Sequence, residues 1–248
     1  MKVPQLGFVA WFALVLFGSN GLANAQTATR QRPVQATRPA ASRSTTAVAR
    51  AAKKRLVFFG NSLTAGYGVP TKSNYPSLIA QKIDSAGLNY TVVNAGVSGE
   101  TTAGGLRRVS TVLGQPIDVF VLELGANDVF RGVPVATIRG NLQGIIDAVR
   151  RKNPRAQIVI AGMQIPGMFG EGYISEFQGV FKDVATKNRA LLIPYLLDNV
   201  GGVPELNLAD GIHPTAAGYR IVARTVWNTL APVLGAKEEA SLKTSVLY

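Results

Sequence analysis

The chain has 248 residues, 47% of them hydrophobic, which suits one domain of ordinary size with a substantial core and terminal extensions. Its formal net charge of +12 suggests a nucleic-acid partner, but nine basic side chains (Lys2, Arg30, Arg32, Arg38, Arg43, Arg50, Lys53, Lys54, Arg55) precede residue 56 with no acid among them. The remainder carries only +3 and shows no evident phosphate-binding face.

The first 25 residues read as an export signal. Lys2 supplies the positive start, Phe8 to Phe17 is an unbroken apolar run, and Ala23-Asn24-Ala25 is a small-x-small cleavage site before Gln26. That run is too short to span a bilayer comfortably, so no stable membrane insertion is expected; an uncleaved anchor is the alternative. From residue 26 to 54 the chain is mostly Ala, Thr, Arg, Pro and Ser, too poor in large apolar residues to offset the entropy of ordering, and is expected to be a flexible basic linker. The mature protein is expected outside the cytoplasm, in the periplasm or secreted. No cysteine exists anywhere, which excludes disulfides, thiol catalysis and lipid attachment through an N-terminal cysteine.

From Leu56 onward, short apolar runs alternate with longer segments of helical period, the signature of an α/β fold with a parallel sheet covered on both faces. The runs Leu56–Phe59, Tyr90–Asn94, Val119–Leu124, Ile158–Ala161 and Leu191–Ile193 predict strands. Between them, Pro76–Ala86 predicts a helix with proline in its first turn. Pro134–Arg151 predicts a second, with Val135, Ile138, Leu142, Ile145, Ile146 and Val149 on one stripe, and Pro214–Leu234 a third. The domain is expected over residues 55–235, with a tail over 236–248.

In open α/β sheets, ligands bind beyond the carboxyl ends of the strands, and the chemically informative residues fall there. Ser62 follows the first strand in Phe59-Gly60-Asn61-Ser62-Leu63, where a hydroxyl at a helix N-terminus can serve as a nucleophile or simply cap the helix. His213 is the only histidine, so any imidazole chemistry runs through it. Asp210 stands three residues earlier, close enough to orient the ring and stabilise its protonated form. A developing oxyanion needs donors. Asn127, in Gly125-Ala126-Asn127-Asp128, and the Gly96 N–H are candidates, each also explicable as an ordinary turn residue. Val129, Phe130, Ile165 and Pro166 are candidates for an acyl-binding wall, with plain loop packing as the alternative.

The segments Gly60-Asn61-Ser62-Leu63, Asn94-Ala95-Gly96-Val97-Ser98-Gly99, Gly125-Ala126-Asn127-Asp128 and Asp210-Gly211-Ile212-His213-Pro214 resemble, in order, the blocks of the GDSL or SGNH hydrolases. The resemblance covers roughly residues 55–235 and extends to the exported subgroup of arylesterases, thioesterase I and lysophospholipase L1. It implies a flavodoxin-like, three-layer α/β/α sandwich with a five-stranded parallel sheet. It also implies a serine esterase acting on a small-molecule ester or thioester: Ser62 as nucleophile, His213 as base, Asp210 as its orienter, and an oxyanion hole from the Ser62 N–H, the Gly96 N–H and the Asn127 side chain. Asn61 stands where the family name records an aspartate, so it can accept a hydrogen bond but adds no charge. No cofactor is expected, and the chain offers no HExxH helix or multi-histidine centre for a metal. A carbohydrate O-acetylesterase, and a noncatalytic envelope-binding protein that kept the fold, are the alternative readings.

Overall fold

Five strands, β1 (Lys54–Gly60), β2 (Tyr90–Gly96), β3 (Val119–Glu123), β4 (Gln157–Ala161) and β5 (Leu191–Ile193), form one parallel sheet in the order β2-β1-β3-β4-β5. The computed structural model describes residues 52–165 and 167–236. The export signal, all but the last three residues of the expected linker, Pro166 and residues 237–248 lie outside them. The three inner strands are mostly apolar because both their faces are covered: Leu56 to Gly60 of β1, all five residues of β3, the last of them Glu123, and Ile158 to Ala161 of β4 are buried. The edge strands β2 and β5 are only partly buried and carry the more mixed sequences.

Seven α-helices occur among the described residues: α1 (Ser62–Ala65), α2 (Tyr75–Ser85), α3 (Thr102–Arg108), α4 (Ala126–Val129), α5 (Val135–Lys152), α6 (Glu171–Lys187) and α7 (Ala216–Leu234). Helices α2 and α7 pack together as one layer, while α5 lies against both α3 and α6 in the other, giving the three-layer sandwich. The stripe foreseen on α5 is its buried face, from Val135 to Val149. Helix α2 starts where Asn74 caps it, its side chain accepting from the Ser77 N–H at 2.9 Å, with Pro76 in the first turn. Helix α7 starts two residues later than the sequence suggested. Thr215 takes the cap, accepting from the Gly218 N–H at 3.2 Å, and Pro214 instead forms an antiparallel bridge with Asn207.

Strand order decides where a site can form. The chain steps from β1 outward to β2, then crosses back to β3 on the other side of β1. The connections leaving β1 and β3 therefore diverge, opening a crevice beyond their carboxyl ends. Ser62 follows β1 and Asn127 follows β3.

Candidate active site

Ser62 is the first residue of the single turn α1, and the cap is its neighbour: the Asn61 side chain accepts from the Leu63 N–H at 2.9 Å. The turn ends at Gly66, whose φ of 85° is a left-handed conformation that favours glycine. Relieved of the capping role, the Ser62 hydroxyl meets the His213 ring across 151 residues of sequence, with Oγ 2.8 Å from Nε2.

On the far side of the ring, His213 Nδ1 lies 2.7 Å from Asp210 Oδ2. The other carboxylate oxygen, Oδ1, accepts from the backbone N–H groups of Ile212 at 2.9 Å and His213 at 3.0 Å. Asp210 thus fixes both the turn that carries the histidine and the ring itself. The His213 N–H, then burial opposing it, then the Ile212 N–H and the ring contact set the balance, and the Asp210 carboxyl is held down at about 2. An ionised carboxylate only accepts, so the Nδ1 proton points to Asp210 and Nε2 presents a lone pair to Ser62. The Tyr67 ring lies 4.6 Å, centroid to centroid, from the imidazole and covers one flank.

These groups open into a cavity of about 610 Å³ whose lining includes Ser62, Tyr67, Gly99, Asn127, Phe130, Met163, Ile165, Tyr195, Ile212 and His213. Most of that wall is apolar. Asn127 uses one amide hydrogen on the Glu100 carbonyl at 2.9 Å, which orients the side chain and leaves its second hydrogen for a ligand. Phe130 is 51% exposed at the mouth, its ring 5.7 Å from that of Phe169.

Two expectations meet a different geometry. The Gly96 N–H donates to Asn94 Oδ1 at 3.0 Å, and Gly96 does not line the cavity. A side chain there would drive a Cβ to within 2.8 Å of Ala65 Cα, so glycine at 96 serves the close passage of β2 past α1. Gly99 lines the cavity instead, with φ of 78°. Val129 is 2% exposed and packs in the core, whereas its neighbour Phe130 and Ile165, in the segment after β4, line the cavity. Tyr67, Tyr195 and Ile212 were not foreseen; only their place in loops at the strand ends hinted at them.

Beneath Ser62 lies a buried acid the sequence did not flag. Glu123, at the end of β3, is 0% exposed and accepts from Asn61 Nδ2 at 2.6 Å, the Asn61 N–H at 3.1 Å and Thr64 Oγ1 at 2.8 Å. Burial raises its carboxyl to about 7, with the hydrogen bonds from Thr64 and Asn61 opposing the rise. No group of three or more His, Cys, Asp or Glu among the described residues is arranged to hold a metal ion. No helix among them is long and apolar enough to cross a membrane.

Residues 58–221 match the model of the GDSL-like lipase/acylhydrolase family. The chain belongs to that family. It is 36% identical to the esterase TesA of Pseudomonas aeruginosa over 74% of this chain and 91% of that one. It is 30% identical to thioesterase 1/protease 1/lysophospholipase L1 of Escherichia coli K12, over 74% and 86% of the two chains. A crystal structure of TesA superposes with a TM-score of 0.69 at 35% identity, covering 73% of this chain and 99% of that one. Membership makes this chain a carboxylic ester hydrolase of the α/β sandwich type.

Proposed function

We propose that the chain is a serine esterase that hydrolyses carboxylic esters or thioesters through an acyl-enzyme, with Ser62, His213 and Asp210 as a triad. The relay from Ser62 Oγ through both ring nitrogens to Asp210, at 2.8 and 2.7 Å, is the observation that carries this reading. As Ser62 Oγ attacks the acyl carbonyl, its proton passes to His213 Nε2, and the resulting imidazolium is stabilised by Asp210. The carbonyl oxygen, now an oxyanion, is met by the Ser62 N–H, the Asn127 side chain and the Gly99 N–H, a choice supported by Gly99, and not Gly96, lining the cavity. His213 returns the proton to the departing alcohol or thiol. Water, deprotonated by the same nitrogen, then releases the acid.

The apolar wall with Phe130, Met163 and Ile165 is where the acyl chain lies, and broad tolerance toward short and medium acyl groups is expected, since one methylene in an apolar pocket gives modest discrimination. Read with the export signal over residues 1–25, the reaction runs outside the cytoplasm. The test is hydrolysis of p-nitrophenyl acetate, butyrate and octanoate by wild type and Ser62→Ala. The variant is expected to lose at least roughly 10³-fold in kcat on all three. Retained activity in Ser62→Ala refutes the nucleophile. Turnover confined to acetate, with octanoate inert, favours a carbohydrate O-acetylesterase over the broader esterase.

A further inference from the structure

Near the cavity, the far end of α3 brings one guanidinium to three separate pieces of the site. Arg108 Nη2 donates to the Ala95 carbonyl at 2.9 Å and to the Gly60 carbonyl at 3.2 Å, and Nε donates to the Glu100 carboxylate. The plane of the group lies over the Phe59 ring, 3.9 Å from its centroid. Both charged partners are largely withdrawn from water, Glu100 at 9% and Arg108 at 21% side-chain exposure, so the pair is screened less than a surface pair would be.

Each contact leads to an oxyanion donor. Gly60 closes β1, two residues before Ser62, and its carbonyl also takes the last ladder bond from the Val97 N–H at 2.9 Å. Ala95 stands at the end of β2, where the loop bearing Gly99 begins. Glu100 follows Gly99 directly, and its carbonyl accepts from the Asn127 amide at 2.9 Å. A second cation grips the same loop from outside, Arg131 Nη2 donating to the Gly99 carbonyl at 3.1 Å.

We propose that Arg108 is the positioning residue of the oxyanion hole, a single fork that sets the spacing between the donors at Ser62, Gly99 and Asn127. The inference rests on the esterase reading above. Arginine suits the task because a planar group with several fixed donors can hold three acceptors at once, whereas lysine is a point charge on a flexible stem. Donors for a developing oxyanion work only within about half an ångström of their places. Arg108 itself touches no substrate; it acts through the loop and the strand ends.

A contribution of this kind appears in the transition state and not in ground-state binding. In the full chain, Arg108→Lys is expected to lower kcat for p-nitrophenyl butyrate by roughly 30- to 100-fold, below the loss from deleting a donor outright, with KM within about threefold of wild type. Affinity for an alkylboronic acid, which forms a tetrahedral adduct on Ser62, is expected to fall by a similar factor. The melting temperature of Arg108→Lys, measured alongside, is expected to stay close to wild type. Added guanidinium ion is expected to recover part of the kcat of Arg108→Ala. A kcat within threefold of wild type in Arg108→Lys, or a KM that rises as far as kcat falls, overturns the proposal; so does loss of the fold in both variants, which makes Arg108 structural. Absence of ester hydrolysis in wild type overturns the esterase reading and this inference with it.

Discussion

Raising the pH through neutrality should destabilise this protein by way of one buried carboxyl. Glu123 is 0% exposed, and burial lifts its carboxyl from an ordinary 4.5 to about 7, against the pull of the hydrogen bonds from Thr64 and Asn61. Between those values the folded chain keeps a proton that the unfolded chain has released. The contribution is therefore fully present below about pH 4.5 and is lost as pH rises through about 7. A difference of about 2.5 pH units at 1.36 kcal/mol each amounts to about 3 kcal/mol. The proton has somewhere to go: Thr64 Oγ1 is 2.8 Å from Glu123 and 2.7 Å from the Tyr75 hydroxyl, and either member of the second pair can donate, so the chain of hydroxyls reverses when the acid protonates. Glu123→Gln removes the titration. It also leaves one Asn61 donor, the side-chain Nδ2 or the backbone N–H according to how the amide is turned, facing an NH2 group in place of an acceptor, at about 1–3 kcal/mol independent of pH. Urea unfolding of both proteins from pH 4.5 to 8.5 isolates the effect, since every other titrating group cancels in the difference. Wild type is expected to lose about 3 kcal/mol more than the variant over that window. Parallel stability curves, or a wild type that gains on the variant as pH rises, would refute the assignment of this burden to Glu123.

The relay makes a different demand on Asp210. Asp210→Asn keeps an oxygen for the Ile212 and His213 N–H groups but turns an amide N–H toward Nδ1, so the ring proton moves to Nε2 and faces Ser62; kcat is expected to fall roughly 10⁴-fold with the fold intact. In wild type the Asp210 carboxyl is held at about 2 and stays ionised above about pH 3, so a pH–rate profile of kcat should show no acid limb from it; its modest stability contribution is present above about pH 3.8 and fades as pH falls through about 2. Gly60→Ala tests the packing beneath the nucleophile. The new Cβ would stand 2.7 Å from the Glu123 carbonyl and closer still to Thr64 Oγ1, and backbone does not yield as the far end of a flexible side chain does, so thermal melts should show a loss of about 3 kcal/mol or an insoluble product.

Much of this molecule is legible from local pattern. All five strands fall where short runs such as Leu56–Phe59 and Leu191–Ile193 predicted; the signal is strongest for the inner strands, which must be apolar on both faces, and weaker for the edge strands β2 and β5. Helix α5 announced its buried stripe residue by residue. Helix α6 was less plain: Phe177, Val180, Phe181 and Val184 recur at helical spacing, but Gly172 and Gly179 interrupt the segment. Helix α3 is only seven residues long, with Gly104 and Gly105 inside it, and gives almost no periodic signal.

For the site, sequence by itself supplied the candidates: one imidazole, an acid three residues before it, and a serine and an amide in the turns that follow β1 and β3, residue types that acyl transfer can use. It did not decide which of two nearby glycines faces the cavity, nor that Val129 turns inward while Phe130 turns out, because a loop residue's direction depends on what the loop packs against. Gly96 is committed by the passage of β2 against α1, and Gly99 stands in the cavity wall beside Glu100, which Arg108 holds. Glu123 and Arg108 illustrate the same limit. Each is an ordinary charged residue in the linear chain, and each becomes meaningful only when partners 8 to 62 positions away close around it, since burial and long-range hydrogen bonds, not residue type, set what a charge can do.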